Sequence, residues 1–189
     1  MIKIGILGDI GSGKSYVAQN FGYPVFNADH EVAKLYQLNK NIFIKLKISL
    51  PKYIYSFPIK KMEISNAILA NKNNLNKIVK IVHAEIRKKM NVFLKKHKNK
   101  KFVILDIPLL LENKINKQKD VLVFVQSKQS DILKRLKKRK NFNQKLLKKF
   151  KAIQYSIEYK KKKSNFIIKN NFTKKSVNNG IKSILKKLV

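Results

Sequence analysis

Cysteine is absent from this 189-residue chain. That excludes a disulfide framework and any thiolate metal centre. Glycine is nearly as scarce, six in all, yet Gly5, Gly8, Gly11 and Gly13 fall in the first thirteen residues. A chain that spares glycine elsewhere is using it here for backbone shapes closed to residues with a Cβ. Asp and Glu together number ten against 44 Lys and Arg, giving a net charge of +34. Arginine itself is rare, at Arg87, Arg135 and Arg139 only. No apolar run approaches the ~20 residues of a membrane-spanning helix; Ile107-Pro108-Leu109-Leu110-Leu111 is among the longest. The N-terminal run reads as a strand rather than a secretory h-region. A cytoplasmic protein with no membrane partner is the expectation.

The charge invites a nucleic-acid reading, because a large positive field attracts polyanions. It is almost all lysine, however, and spread along the whole chain. Lysine, asparagine and isoleucine share A/T-rich codons, so base composition is the simpler cause to expect for the excess. A solvated lysine-rich surface without a specific nucleic-acid site is expected. Against that background the three arginines stand out as candidates for bidentate phosphate contacts, which lysine cannot copy.

What is present begins at Gly8. Gly8-Asp9-Ile10-Gly11-Ser12-Gly13-Lys14-Ser15 spells G-x-x-x-x-G-K-S, the phosphate-binding loop pattern. Ile2 to Leu7 before it reads as a short buried strand, and Tyr16 to Phe21 after it can continue a helix. This is the strand–loop–helix context the pattern needs. The glycines let successive N–H groups turn inward to form an anion cradle at a helix start. Lys14 would reach the β- and γ-phosphates of ATP, and the Ser15 hydroxyl would ligate Mg²⁺. Gly8 through Tyr16 are the candidate ATP-binding residues.

Five apolar runs read as strands, over 2–7, 24–27, 102–106, 121–125 and 166–168, with helices between them. That alternation predicts an α/β fold with a five-stranded parallel sheet. Ligands bind such sheets beyond the strands' carboxyl ends, so residues just after strands deserve scrutiny. The expected organisation is a nucleotide-binding core at 1–29, 100–127 and 164–189, a helical substrate insertion at 30–99, and a basic lid at 128–163. Within the insertion, 45–60 reads as irregular. Leu75, Ile78, Val79, Val82 and Ile86 form an apolar helical stripe. Ser130 to Arg139 and Asn143 to Lys163 read as lid helices, with Arg135 and Arg139 on one face; an ordinary surface hairpin is the alternative. Lys160 to Lys163 reads as a solvated helix end.

With these pieces placed, the chain resembles the dephospho-CoA kinases, P-loop kinases that phosphorylate the ribose 3′-hydroxyl of dephospho-CoA. Ile10-Gly11-Ser12-Gly13-Lys14-Ser15 matches that family's loop. Asn27-Ala28-Asp29 is similar to its Asp-Ala-Asp signature, and Asp106 to Glu112 to its Pro-Leu-Leu-Phe-Glu segment. Gln154, Lys160 and Asn170 fall at the spacing of its C-terminal Gln…Lys…Asn pattern. The departures are Asp9 where a small residue is usual, Asn27 for Asp, Ala84 for the proline after His83, and Lys61 where an arginine is usual. A carboxylate facing phosphates is repulsive, so Asp9 is expected to point away or to bond the loop backbone.

The resemblance implies a P-loop kinase-type three-layer fold, ATP and Mg²⁺, and dephospho-CoA as substrate, in a monomer or weak oligomer. Asp29 becomes the general base toward the ribose hydroxyl; the alternative is a helix N-cap. Arg139, with Arg135, contacts the transferred phosphoryl group and completes the catalytic set with Asp29 and Lys14. Asp106 occupies a Walker B position and binds Mg²⁺ with Ser15, or is a strand-end carboxylate bonding the loop backbone. Asp29, Lys61, His83, Arg87, Pro108, Leu109 and Glu112 are the substrate-side candidates. For His83 a structural role, and for Glu112 a helix-surface charge, are the alternatives. Other functions stay open: a different small-molecule or nucleotide kinase of this loop type, a basic nucleic-acid-binding ATPase, or a non-catalytic P-loop protein.

Overall fold

The computed structural model describes residues 1–140 and 142–188. The expected lid and C-terminal core spans each include one residue outside this set, Asn141 and Val189. The described residues group into two units, Met1–Asn27 with His97–Phe142 and Ile153–Val189, and Ala28–Lys96 with Asn143–Ala152.

The first unit is built on a five-stranded, all-parallel sheet. Its strands are β1 (Ile2–Gly8), β2 (Val25–Asn27), β3 (Phe102–Asp106), β4 (Val121–Gln126) and β5 (Phe166–Lys169), in spatial order β2-β3-β1-β4-β5. β3 is buried along its whole length, as the continuous apolar sequence Phe-Val-Ile-Leu demands of a strand covered on both faces. Alternate residues Ile4, Ile6, Ile104, Val123, Val125 and Ile168 pack against α1 (Lys14–Asn20) through Val17, Ala18 and Phe21. The C-terminal helix over Lys174–Leu188 adds Val177, Ile181 and Ile184 to the same core. A Cβ on Gly5, pointing to the opposite face, would stand 2.7 Å from a Leu110 methyl. The segment after β3 therefore lies directly on the sheet there.

The second unit holds α2 (Ala28–Leu38), α3 (Lys40–Ser49), α4 (Lys61–Ala70), α5 (Lys72–Lys96) and, from later in the chain, α7 (Gln144–Ala152). Leu75, Ile78, Val82 and Ile86 are the buried stripe of α5; Val79 is only partly buried. The irregular reading of 45–60 is corrected for 45–49 only, because α3 runs to Ser49, while 50–60 has neither helix nor strand. Its Asn39 cap accepts a hydrogen bond from the Ile42 amide at 3.0 Å, and Ile42 and Leu46, one turn apart, are its buried residues. Past it, buried Glu63 of α4 accepts from the Tyr55 and Ser56 amides at 2.9 and 3.2 Å and from the Ser56 hydroxyl. That carboxylate satisfies the Tyr55 and Ser56 amides of the 54–60 segment, which has no helix of its own.

The remaining elements return to the first unit: α6 (Gln129–Lys137), α8 (Ile157–Lys162) and α9 (Lys174–Leu188). Two lid expectations need correction. α6 stops at Lys137, so Arg139 lies in the following turn, where its carbonyl accepts from the Phe142 amide. Arg135 and Arg139 therefore share no helix face. The stretch 143–163 is also two helices in different units rather than one.

Candidate active site

Gly8 ends β1, and the chain from Asp9 to Gly13 turns tightly into α1. Gly11 and Gly13 sit at φ +88° and +90°, a left-handed region costly for residues with a Cβ. Space is short as well. A Cβ on Gly13 would stand 2.5 Å from Asn170 Nδ2, and one on Gly11 about 3 Å from Leu136 and Ile132 of α6. The loop is thus pressed between the β5–α9 connection and α6. The Ser12 carbonyl accepts from the Ser127 hydroxyl at 3.0 Å and from Asn170 Nδ2 at 2.9 Å. Asn170 Oδ1 accepts in turn from the Phe172 amide at 2.8 Å. One buried asparagine so fixes both the loop and the strand end beside it.

Asp9 behaves as its charge requires. Its carboxylate accepts from the Ile10 amide at 2.7 Å and from Gln129 Nε2 at 3.0 Å, which ties it to the loop backbone and to the start of α6. Lys14 Nζ donates to the carbonyls of Asp9 at 2.8 Å and Gly8 at 3.3 Å. These bonds hold the ammonium against the loop backbone. Tyr16 is exposed.

Asp106 closes β3, beside the loop. It is 4% exposed, and Asn27 Nδ2 donates to its Oδ2 at 2.7 Å. Burial raises its pKa above the ordinary carboxylate value, partly offset by a hydrogen bond from the Ser15 hydroxyl, the Lys14 cation and the Asn27 bond. Among the described residues its partners are side chains, and no bond from the loop backbone to this carboxylate is seen. A buried carboxylate against a serine hydroxyl is a hard-oxygen pair and fits a small divalent cation such as Mg²⁺.

The substrate-side candidates divide between the units. Pro108 and Leu109 lie in the turn after β3, in the first unit with Glu112, Arg135 and Arg139. Glu112 is not a surface charge. Its Oε1 pairs with Lys160 Nζ at 3.0 Å, the two side chains 9% and 3% exposed, and also accepts from the Tyr155 amide at 2.8 Å. Lys160 donates again to Gln154 Oε1 at 2.7 Å, so the solvated reading of Lys160 is wrong. Glu112 Oε2 is buried with no hydrogen-bond partner among the described residues. Arg135 stacks its guanidinium on the Phe172 ring, 4.4 Å from the centroid. Phe172 itself holds φ +63°, a costly backbone for an aromatic residue.

In the second unit, Asp29 is the second residue of α2, not its N-cap. His83 and Arg87 lie one turn apart on α5, and Lys61 opens α4. Two partners carry no motif in the sequence, Gln129 and Phe172. Asn27 and Lys160 fall within the family-like signatures, but their contacts to Asp106 and Glu112 are not legible there.

A glycine-rich loop after the first strand, its lysine and serine beside a buried strand-end aspartate, and an all-parallel sheet define a P-loop kinase-type protein. The sequence profile of one such group, CoaE dephospho-CoA kinase, matches residues 2–176. The chain belongs to the dephospho-CoA kinase family. Similar curated proteins include the dephospho-CoA kinase of Wolbachia pipientis wMel, 34% identical over 98% of this chain and 97% of that one. That of Rickettsia conorii is 31% identical over 100% and 98%. Among solved structures, TT1252 from Thermus thermophilus superposes with a TM-score of 0.76 at 23% identity, covering 100% of this chain and 98% of that one. Dephospho-CoA kinase from Campylobacter jejuni gives 0.60 at 21%, covering 98% and 96%. These structural likenesses speak to the fold alone. No helix among the described residues is long and apolar enough to cross a membrane.

Proposed function

We propose that the chain transfers the γ-phosphoryl group of ATP to the ribose 3′-hydroxyl of dephospho-CoA, giving coenzyme A and ADP. The observation that carries this reading is the family match along residues 2–176, on a chain whose loop, Lys14, Ser15 and Asp106 supply the expected phosphate and metal groups. In the reaction the 3′-oxygen forms a bond to the γ-phosphorus as the bond to the β–γ bridging oxygen breaks. The hydroxyl proton passes to a base, and that base is Asp29. Ser15, and Asp106 directly or through water, would hold Mg²⁺, which would supply charge neutralisation at the phosphates.

Lys14 exchanges its two carbonyl partners for β- and γ-phosphate oxygens. The loop amides from Asp9 to Tyr16 hold the triphosphate, and Arg139 and Arg135 offset charge on the transferred group. Lys61, His83, Arg87, Pro108 and Leu109 bind the second substrate. Glu112 contributes only Oε2, since Oε1 is engaged internally. Residues 30–99 form the substrate-binding insertion and 128–163 the lid. The enzyme works as a monomer or weak oligomer in the cytoplasm, with no dedicated nucleic-acid site.

A coupled ADP-release assay tests the substrate. Dephospho-CoA should turn over far better than any nucleoside monophosphate, with no stimulation by RNA. Preference for a nucleoside monophosphate would overturn the assignment.

A further inference from the structure

β2 and β3 run side by side in parallel, with Asn27 and Asp106 as register partners at the last residue of each strand. Register partners project to the same face with their Cβ atoms adjacent. Here that adjacency becomes a bond, Asn27 Nδ2 to Asp106 Oδ2 at 2.7 Å. The pairing is chemically selective. An amide N–H donates where a second carboxylate would place two acceptor oxygens in repulsive contact. It also commits one oxygen of Asp106 and fixes the plane of the carboxylate, leaving the remaining acceptor capacity for the Ser15 hydroxyl and for a bound ion.

We infer that Asn27 is a positioning residue for the metal site: its side-chain amide aims Asp106 at a divalent cation shared with Ser15. The inference rests on the Mg²⁺ reading above and goes beyond it, because Asn27 is itself no ligand. A residue that orients a metal-binding carboxylate acts on metal affinity, typically by 10–100-fold when removed. It leaves the anion cradle untouched, since the loop amides and Lys14 hold the phosphates.

The test measures Mn²⁺ binding to the protein–ADP complex by electron paramagnetic resonance, and ADP binding without metal by calorimetry. The variants are Asn27→Leu, which keeps the branched shape and heavy-atom count but loses the donor, and Asn27→Ala, which carries the test if the bulkier leucine variant fails to fold. The expected result is at least about a 10-fold loss of Mn²⁺ affinity with metal-free ADP binding within about twofold of wild type. Unchanged Mn²⁺ affinity would overturn the role of Asn27. So would a parallel loss of metal-free ADP binding, which marks a merely structural contact. Wild-type protein that takes up no Mn²⁺ with ADP would remove the metal site itself, and the role of Asn27 with it.

Discussion

Lys160→Met isolates the buried ion pair that ties the segment after β3 to α8. The wild-type ammonium lies 3.0 Å from Glu112 Oε1 and 2.7 Å from Gln154 Oε1, almost fully out of water. At an effective dielectric of about 20 the attraction is about 5 kcal/mol, set against a desolvation cost of several kcal/mol for each ion. The pair therefore adds little net stability. Removing one member is another matter. Methionine fills the same volume, yet Glu112 keeps only the Tyr155 amide as partner and stays buried, so the loss should be about 3–5 kcal/mol. For a chain of this size that lowers the melting temperature by ~6–20 °C, at ~2–4 °C per kcal/mol. The double variant Glu112→Gln, Lys160→Met removes both charges and should recover most of that loss. Calorimetric or circular-dichroism melting of the four proteins in the cycle gives the coupling directly. A Lys160→Met loss under about 1 kcal/mol, or a double variant no more stable than the single, would refute the reasoning.

Asp106→Asn should separate stability from function. Burial raises the folded-state pKa of Asp106, so in the window from the ordinary aspartate value up to the raised one the folded state holds more protons than the unfolded. Stability then falls as pH rises through that window, and at neutral pH the group opposes folding. The metal-free variant should melt higher than wild type at pH 7 while losing Mg²⁺-dependent turnover; a lower melting point would contradict the sign. Arg139→Lys should lose about two or more orders of magnitude in kcat with ATP affinity nearly kept, and equal turnover in steady-state kinetics would remove its role. Asp29→Asn should cost about 10²–10⁴ in kcat while ATP still binds; an unchanged kcat would leave nucleotide binding standing without its assigned base.

The parts of this protein legible in its sequence are those whose information is local. The phosphate loop is contiguous, and its glycines are the positions where left-handed backbone is found. The strands announce themselves because a strand buried on both faces must be apolar throughout, as Phe102 to Leu105 are. α3 was obscured because Ile44-Lys45-Leu46-Lys47-Ile48-Ser49-Leu50 alternates with the period of a strand. Burial of Ile42, Leu46 and Leu50, each a turn apart, decides for a helix, and Ile44 and Ile48 are left exposed. The site's polar partners were hidden by distance along the chain. Asn27 meets Asp106, Gln129 meets Asp9, and Lys160 meets Glu112 only after the sheet has formed. Four consecutive lysines read as solvent-facing by composition, and nothing local distinguishes the one that turns inward. Phe172 was invisible for a related reason, since its left-handed backbone is imposed by the Asn170 bond and the close approach of Gly13.

The most direct test of the account is the identity of the product. Purified protein incubated with Mg·ATP and dephospho-CoA should yield one new phosphomonoester, located on the ribose 3′-carbon by ³¹P–¹H correlation NMR, in step with ADP release. ATP hydrolysis to free phosphate with dephospho-CoA unaltered, or phosphate on a different hydroxyl, would contradict it.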